Sequence, residues 1–247
     1  MSAKIALQLY SIRELLADDF EGGVRKIAAM GYEGVEPAGF PGTTPEAAGA
    51  LFKELGLAIC SAHTRLPLGD DKQEVLDAMD AIDCPRIVSG LGPKDVETLD
   101  DIRRSCERLN EANAVALEHG MTFGLHNHWW EFEKLGGRYV HDIMIEHLDA
   151  KIFFQPDTYW IRTAGVDPAK VIANLGPRAP LLHIKDGPAV KGEPMVAAGD
   201  GVMDFPAIVA AGEPYAKWWI VELDRCATGV MEAGEKGLAY LKSLRGS

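Results

Sequence analysis

Short apolar runs alternate along the chain with longer segments in which apolar residues recur every three or four positions. The short runs predict β-strands and the longer, periodic segments predict helices. The eight predicted strands are Lys4–Leu9, Gly34–Pro37, Ala58–Ala62, Arg86–Ser89, Thr122–His126, Lys151–Gln155, Pro180–Ile184 and Trp218–Glu222. The predicted helices are Phe20–Met30, Glu46–Leu55, Lys72–Ala81, Glu97–His119, Asp142–His147, Pro168–Asn174 and Phe205–Ala211.

Alternation of strands and helices predicts a parallel sheet, because each helical crossover returns the chain to the same sheet. Eight such units in 247 residues match the size of a closed α/β barrel. No G-x-G-x-x-G follows the first strand, which disfavours an open dinucleotide-binding sheet. The expected fold is therefore a (β/α)8 TIM barrel that forms a single domain over residues 1–247. The polar loop Gly187–Asp204 is predicted to be an active-site flap rather than a domain boundary.

The composition is that of an ordinary globular protein, with 47% hydrophobic and 25% charged residues. A formal net charge of −12 argues against a nucleic-acid partner, since such binding depends on Lys and Arg neutralising phosphates. No apolar run is long enough to span a membrane and no secretory signal begins the chain, so we expect a cytoplasmic protein without a membrane partner.

The four cysteines are too far apart to form a C-x-x-C redox or zinc motif. Two of them, Cys60 and Cys226, lie in or beside apolar runs and are predicted to be buried thiols.

Hard oxygen or imidazole donors lie at the ends of the last four predicted strands. They are Glu131 or His126 after strand five, Asp157 after strand six, His183 in strand seven and Glu222 in strand eight. The carboxyl ends of barrel strands converge on one mouth, so these residues are expected to be neighbours in space. Carboxylates and imidazoles together suit Mn²⁺, Mg²⁺, Co²⁺ or Zn²⁺. The pattern therefore predicts a divalent metal site.

Motifs along nearly the whole chain resemble the sugar phosphate isomerase/epimerase family, the xylose-isomerase-like TIM barrels. The matching segments are Leu7–Arg13, Met30–Glu36, Ser61–His63, His126–Phe132, Asp157–Trp160, Leu181–Asp186, Gly199–Phe205 and Val221–Asp224. The resemblance implies a metal-dependent enzyme acting on a small sugar or keto-sugar, with Mn²⁺ as the first choice of metal. A homo-oligomer is compatible with it.

The resemblance also implies that Asp157, His183 and Glu222 are metal ligands. Many relatives have a glutamate in strand five where this chain has His126, and Glu131 is then the carboxylate that resembles the fourth ligand. The strand-five ligand stays open between these two residues.

Isomerising or epimerising a sugar requires removal of a proton next to a carbonyl, with a metal stabilising the enediolate. The candidates for this catalysis are Glu131, Glu222, His126 and Lys185. Candidates for substrate contacts are His63, His128, Trp160 and Glu36. Lys185 either polarises a carbonyl or forms a surface ion pair with Asp186.

The favoured function is therefore sugar isomerisation or epimerisation. The first alternative is a dehydratase or lyase that performs β-elimination on a keto-inositol or 3-keto-glycoside, because that reaction begins with the same proton abstraction. An apurinic endonuclease of similar scaffold is disfavoured by the acidic charge. A non-catalytic sugar-binding barrel is the last alternative.

Overall fold

The computed structural model describes residues 3–245 and contains a barrel of parallel strands. The strands in chain order are β1 Lys4–Gln8, β2 Gly34–Glu36, β3 Ala58–Ile59, β4 Ala62–His63, β5 Arg86–Gly90, β6 Thr122–His126, β7 Lys134–Leu135, β8 Arg138–Tyr139, β9 Phe153–Gln155, β10 Leu181–Ile184 and β11 Trp218–Val221. Among the strands of residues 3–245, β7 and β8 lie outside the barrel and form a short antiparallel hairpin.

Two hydrogen-bonded arcs make up the barrel. One has the strand order β10-β11-β1-β2-β3 and the other has the order β4-β5-β6-β9. The strands β3 and β4 belong to one barrel position, interrupted at Cys60 and Ser61, and an Asp157–His183 bridge joins the arcs on the other side. All eight predicted strands are thus confirmed, and the chain forms a TIM barrel.

Helices cover the outside of the barrel. They are α1 Arg13–Asp18, α2 Phe20–Met30, α3 Pro45–Glu54, α4 Lys72–Ala81, α5 Leu99–Glu118, α6 Val140–His147, α7 Thr158–Thr163, α8 Pro168–Leu175, α9 Phe205–Gly212 and α10 Val230–Leu244. The seven predicted helices are present, with ends shifted by at most two residues. The sequence did not predict α1, α7 and α10.

The three additional helices have separate explanations. Helices α1 and α7 have six residues each, which is too short to show a helical period. Helix α10 contains Gly234 and Gly237, which lower its intrinsic helix propensity. Packing compensates for this, because α10 buries Leu238 and Leu241 against the barrel.

Large and small residues alternate in the interior of the barrel. Phe153 and Trp218 fill it, and they face glycines on other strands. A Cβ atom at Gly124 would lie 2.1 Å from the Phe153 ring, and one at Gly34 would lie 2.4 Å from the Ala58 carbonyl oxygen and 2.8 Å from the Trp218 ring. A much larger apolar cluster lies between the strands and the helices.

The segment between β10 and α9 has no regular secondary structure, but hydrogen bonds to Asp186 hold it in place. The buried carboxylate of Asp186 accepts four backbone hydrogen bonds, from the N–H groups of Gly187, Gly199, Gly201 and Met203. Met195 also donates its N–H to the carbonyl of Arg225, which connects the segment to the loop after β11. This places the predicted flap over one side of the barrel mouth.

Two other expectations can be compared with the structure. Cys60 is buried as predicted, but the prediction for Cys226 was wrong, because it follows β11 in a partly exposed loop. Within residues 3–245, no helix combines the length and the apolar character needed to cross a lipid bilayer.

Candidate metal and substrate site

The two-residue period of the strands explains how the polar groups meet. Gly34, Gly124, Phe153, Leu181 and Ile220 occupy or border the barrel interior. Because side chains on the same face of a strand are two residues apart, the next inward positions carry polar groups. These are Glu36, His126, Gln155, His183 and Glu222, all of them buried.

Three of these residues, together with Asp157, form a compact group of potential ligands. One donor atom each from His126, Asp157, His183 and Glu222 lies within 4.8 Å of the other three. His63 forms a second such group together with His126 and His183. The Oδ2 atom of Asp157 is buried and accepts no hydrogen bond, although Lys185 Nζ is 3.0 Å away. Two imidazoles and two carboxylates, one of which has an oxygen that accepts no hydrogen bond, fit a divalent cation.

His183 lies at the centre of this group. Its Nδ1 is 2.6 Å from Glu222 Oε2, and its Nε2 is 2.6 Å from Glu36 Oε2. Burial would lower the pKa of His183, but the charges of Glu36 and Glu222 outweigh burial and raise the pKa to about 10. Burial likewise works against ionisation of Glu36, yet His63 and His183 lower its pKa to about 2. Without a metal ion, His183 is therefore an imidazolium held between two carboxylates.

Gln155 fixes the tautomer of His126 through hydrogen bonds. The side-chain N–H₂ of Gln155 donates to Glu36 at 2.5 Å, so its Oε1 faces the two imidazoles. That oxygen is 2.7 Å from His63 Nε2 and 3.1 Å from His126 Nδ1. The hydrogen on His126 is therefore on Nδ1, which leaves Nε2 as a free electron-pair donor 3.7 Å from Asp157 Oδ2.

Burial and the neighbouring histidines also lower the pKa of His126 well below its usual value. A neutral imidazole with a free Nε2 is the form that binds metals. His126 is thus the strand-five residue that the structure places in the ligand group.

Glu131 lies outside this group, contrary to its place among the predicted ligands. It is in a 3₁₀ helix, Trp130–Phe132, five residues beyond the end of β6. Its Oε2 accepts a hydrogen bond from the backbone N–H of His128 at 2.8 Å, which turns the carboxylate back toward its own loop. Its Oε1 is buried without a donor, 3.8 Å from the equally unpartnered Nδ1 of His128.

Lys185 is buried among carboxylates, so the surface pair with Asp186 that the sequence left open was wrong. Its Nζ is 3.0 Å from Asp157 Oδ2, 2.8 Å from Glu222 Oε2 and 2.9 Å from Asp224 Oδ2. Burial opposes the charge of this ammonium, but the three carboxylates raise the pKa of Lys185 well above its ordinary value. Lys185 therefore supplies a permanent positive charge beside the ligand group.

Above these residues the mouth opens into a cavity of about 780 Å³. Of the predicted substrate contacts, His63, His128 and Trp160 line this cavity, whereas Glu36 is fully buried beneath it. Trp129 packs near Trp160, with ring centroids 4.8 Å apart, and gives the cavity an aromatic side. The mouth is thus polar at its floor and aromatic along one wall.

Sequence reasoning missed several residues of the network. Gln155 connects Glu36 with two histidines, Gln8 and Ser61 also donate to Glu36, and Asp224 pairs with Lys185. Gln155 and Asp224 each lie two residues from a predicted ligand, so the period of the strands could have indicated them. Gln8 and Ser61 lie in the segments Leu7–Arg13 and Ser61–His63 that resemble the family, but the period of one strand does not reveal their contacts with Glu36, because Glu36 lies on another strand.

Comparison with known proteins supports this interpretation of the fold. Residues 24–244 match the xylose isomerase-like TIM barrel family. No curated protein matches the chain. A solved structure described as a sugar phosphate isomerase/epimerase from Parabacteroides distasonis is 26% identical, with a TM-score of 0.83, and the match covers 98% of this chain and 94% of that one.

Two more distant structures share the fold. A probable 3-DHS dehydratase from Bacillus anthracis is 15% identical with a TM-score of 0.77, and the match covers 97% of this chain and 98% of that one. A D-allulose 3-epimerase from Methylomonas is 15% identical with a TM-score of 0.76, and 98% of each chain is covered. The family match extends over most of the sequence, and the chain belongs to the xylose isomerase-like TIM barrel family.

Proposed function

We propose that this protein is a divalent-metal-dependent sugar isomerase or epimerase that removes a proton next to a carbonyl group. The observation that supports this most is the convergence of four donor atoms within 4.8 Å at the floor of the mouth cavity. His126, Asp157, His183 and Glu222 would hold the cation, with Mn²⁺ as the first metal to test. The cation would act as a Lewis acid toward the carbonyl and hydroxyl oxygens of the substrate.

The protein side chains divide the remaining tasks. Glu222 lines the mouth. Burial would raise the pKa of Glu222, but the nearby charges of Lys185 and His183 outweigh burial and hold this pKa well below its usual value. Glu222 is therefore an ionised carboxylate. We assign proton transfer at the substrate carbon to Glu222, because it is the ionised carboxylate that combines a place in the ligand group with access to the cavity. The Lys185 ammonium, 2.8 Å from it, stabilises negative charge on the substrate oxygen.

Histidines on the other side of the mouth are the candidates for returning the proton. His63 and His128 both line the cavity and are partly exposed. Glu131 does not line it, so we assign Glu131 the role of orienting His128 through its backbone hydrogen bond rather than that of a base.

Hydrogen exchange tests this proposal directly. The Mn²⁺-loaded protein is incubated in D₂O with a panel of aldoses and ketoses, and exchange at the carbon next to the carbonyl is followed by NMR. Exchange is expected for at least one sugar and should be abolished in Glu222→Gln and His183→Ala, whereas the exposed Glu213→Gln serves as the matched control. Absence of exchange with every sugar, or full exchange in both site variants, would refute the proposal.

The same experiment identifies β-elimination, the alternative outcome of the same first step. A keto-sugar substrate that exchanges and then gains the absorption of an enone is undergoing elimination. A stable isomer or epimer in the product spectrum indicates the favoured reaction. We do not propose a nucleic-acid substrate, because the mouth contains Glu222, Asp224 and Glu193 and the chain carries a net charge of −12.

A further inference from the structure

A side cavity opens next to the mouth, among the loops that follow β1, β10 and β11. It has a volume of about 690 Å³. Four residues border both the side cavity and the mouth: Arg13, Gly192, Asp224 and Arg225. The junction of the two spaces therefore carries two guanidinium groups.

Neither of these arginines is paired with an acidic side chain. Within residues 3–245, no carboxylate oxygen lies within 4.0 Å of a guanidinium nitrogen of Arg13 or Arg225. By contrast, Arg25, Arg65 and Arg138 each form ion pairs with acidic side chains. The chain has 37 acidic and 25 basic residues, so two arginines without such a partner at one junction favour an anion from outside the chain as their partner.

Backbone contacts hold both guanidinium groups at the junction. Arg13 donates to the carbonyl of Tyr10 and to the carbonyl of Asp224, each at 3.0 Å, and its Cζ lies 4.2 Å from the centroid of the Tyr10 ring. Arg225 donates to the carbonyl of Gly192 at 3.0 Å. A guanidinium has five N–H donors, so both groups keep donors for a ligand. Because they are positioned in advance, less conformational entropy is lost when a ligand binds.

The N-terminus of α10 adds positive potential to the side cavity. Thr228 and Val230, at the start of this helix, border the cavity. The N-cap residue is Gly229, which has no side chain to accept hydrogen bonds from the N–H groups of the first turn. Helix N-termini of this kind bind phosphates and carboxylates, and TIM barrels often bind phosphate at the loops after strands seven and eight. Here those strands are β10 and β11, and their loops supply Gly192 and Arg225.

Two carboxylates also border the side cavity. Asp224 Oδ2 is 2.9 Å from Lys185 Nζ, so the charge of Asp224 is already paired. Glu14 is exposed in the first turn of α1, where solvent screens its charge. The guanidinium charges therefore dominate at the junction.

The junction is also close to the ligand group. Lys185 Nζ connects the two, since it lies 2.9 Å from Asp224 Oδ2 at the junction and 2.8 Å from Oε2 of the candidate ligand Glu222. A single sugar molecule can therefore reach the ligand group with one end and the arginines with the other.

We propose that Arg13, Arg225 and the N-terminus of α10 form an oxyanion subsite of the candidate active site. The substrate class is then an aldose or ketose that carries a phosphate or carboxylate group at the end away from its carbonyl. The carbonyl lies over the ligand group, where the proton is removed, and the anionic group lies against the two guanidinium groups. This inference rests on the proposed function for the position of the carbonyl.

The test compares anionic sugars with neutral counterparts on Mn²⁺-loaded protein from which excess metal has been removed. Affinities are measured by calorimetry for fructose 6-phosphate and fructose, ribulose 5-phosphate and ribulose, and glucuronate and glucose. At least one anionic sugar should bind about 10- to 100-fold more tightly than its neutral counterpart, the effect of one or two hydrogen bonds between charged groups. A preference confined to the phosphates or to glucuronate identifies the anion.

Arginine variants show where the anion binds. The preference should fall in Arg225→Met and disappear when Arg13→Met is added. Arg225 is exposed, so its replacement should leave the protein folded, which circular dichroism checks. The matched control is Arg108→Met, which removes the same charge from an exposed position on α5 outside both cavities and should keep the wild-type preference.

Two results would overturn the inference. One is that no anionic sugar binds more tightly than its neutral counterpart, which includes binding of none. The other is a preference that both Arg225→Met and the double variant leave unchanged, because the anion would then bind elsewhere, for example to Mn²⁺. Hydrogen exchange of all six sugars on the same samples keeps this result apart from the proposed function. Exchange without an anion preference refutes only the subsite, and an arginine-dependent preference without exchange on any sugar refutes only the function.

Discussion

Replacement of Gln155 by leucine should weaken metal binding even though Gln155 is not a ligand. Its Oε1 accepts from His63 and His126, and its N–H₂ group donates to Glu36. Leucine has a similar size but can make none of these hydrogen bonds. The hydrogen of His126 is then no longer held on Nδ1, so the free electron pair on Nε2 is no longer directed at Asp157.

The size of the effect follows from the kind of interaction that is lost. Removing a hydrogen-bond partner of a metal-binding histidine typically lowers metal affinity about 10- to 100-fold. This corresponds to about 1.4–2.8 kcal/mol of binding free energy. Gln155 is fully buried, and each polar group left without a partner should also lower the free energy of unfolding by about 1–3 kcal/mol.

Titration with Mn²⁺, followed by electron paramagnetic resonance of the free ion, measures the affinity directly. Circular dichroism shows whether Gln155→Leu is folded at the temperature of the titration. The control is Gln73→Leu, since Gln73 is exposed on α4 and bonds only to the neighbouring Asp77. If folded Gln155→Leu binds Mn²⁺ within about threefold of wild type, the tautomer argument and the assignment of His126 fail together.

Three further changes test other parts of the structure. His126→Ala should reduce Mn²⁺ affinity much more than Glu131→Gln in the same titration, because only His126 lies in the ligand group; the reverse order would restore Glu131 as the ligand. Lys185→Met should lower the free energy of unfolding by about 3–5 kcal/mol in EDTA, because three carboxylates lose their buried cation. In urea denaturation with Mn²⁺, the difference in unfolding free energy between wild type and variant should be smaller. A difference that Mn²⁺ leaves unchanged would contradict the role assigned to the Lys185 charge. Gly34→Ala should lower the free energy of unfolding by about 1–3 kcal/mol through overpacking against Ala58, and it should leave the Mn²⁺ affinity unchanged. If the variant is as stable as the wild type, the barrel accommodates the added methyl group and the packing argument is wrong.

The sequence was most informative where a single local rule decides the structure. Apolar runs separated by amphipathic segments determine strands and helices in order, and eight such units leave few alternatives to a barrel. The convergence of Asp157, His183 and Glu222 follows from this topology, because each lies at the carboxyl end of its strand. Helix α10 was missed because packing rather than local propensity stabilises it.

The strand-five position shows why the rest of the site was harder to predict. The period of β6 directs His126 inward two residues after Gly124, but a loop glutamate such as Glu131 has no period that fixes its direction. Its orientation depends on one hydrogen bond to the backbone of His128. The network around Glu36 joins residues from several strands, and no pattern within one strand reveals such contacts.

The four amide hydrogen bonds to Asp186 have a consequence for altering substrate preference. They hold both ends of the 188–198 stretch to Asp186, the residue after Lys185. This set of hydrogen bonds therefore separates changes within the stretch from the ligand group. Gly201 is required in the set, because a methyl group there would meet the Asp186 carboxylate at 2.1 Å. Loop libraries that retain Asp186, Gly199 and Gly201 and diversify the exposed residues of 188–198 can therefore reshape the rim of the mouth while leaving the ligand group in place.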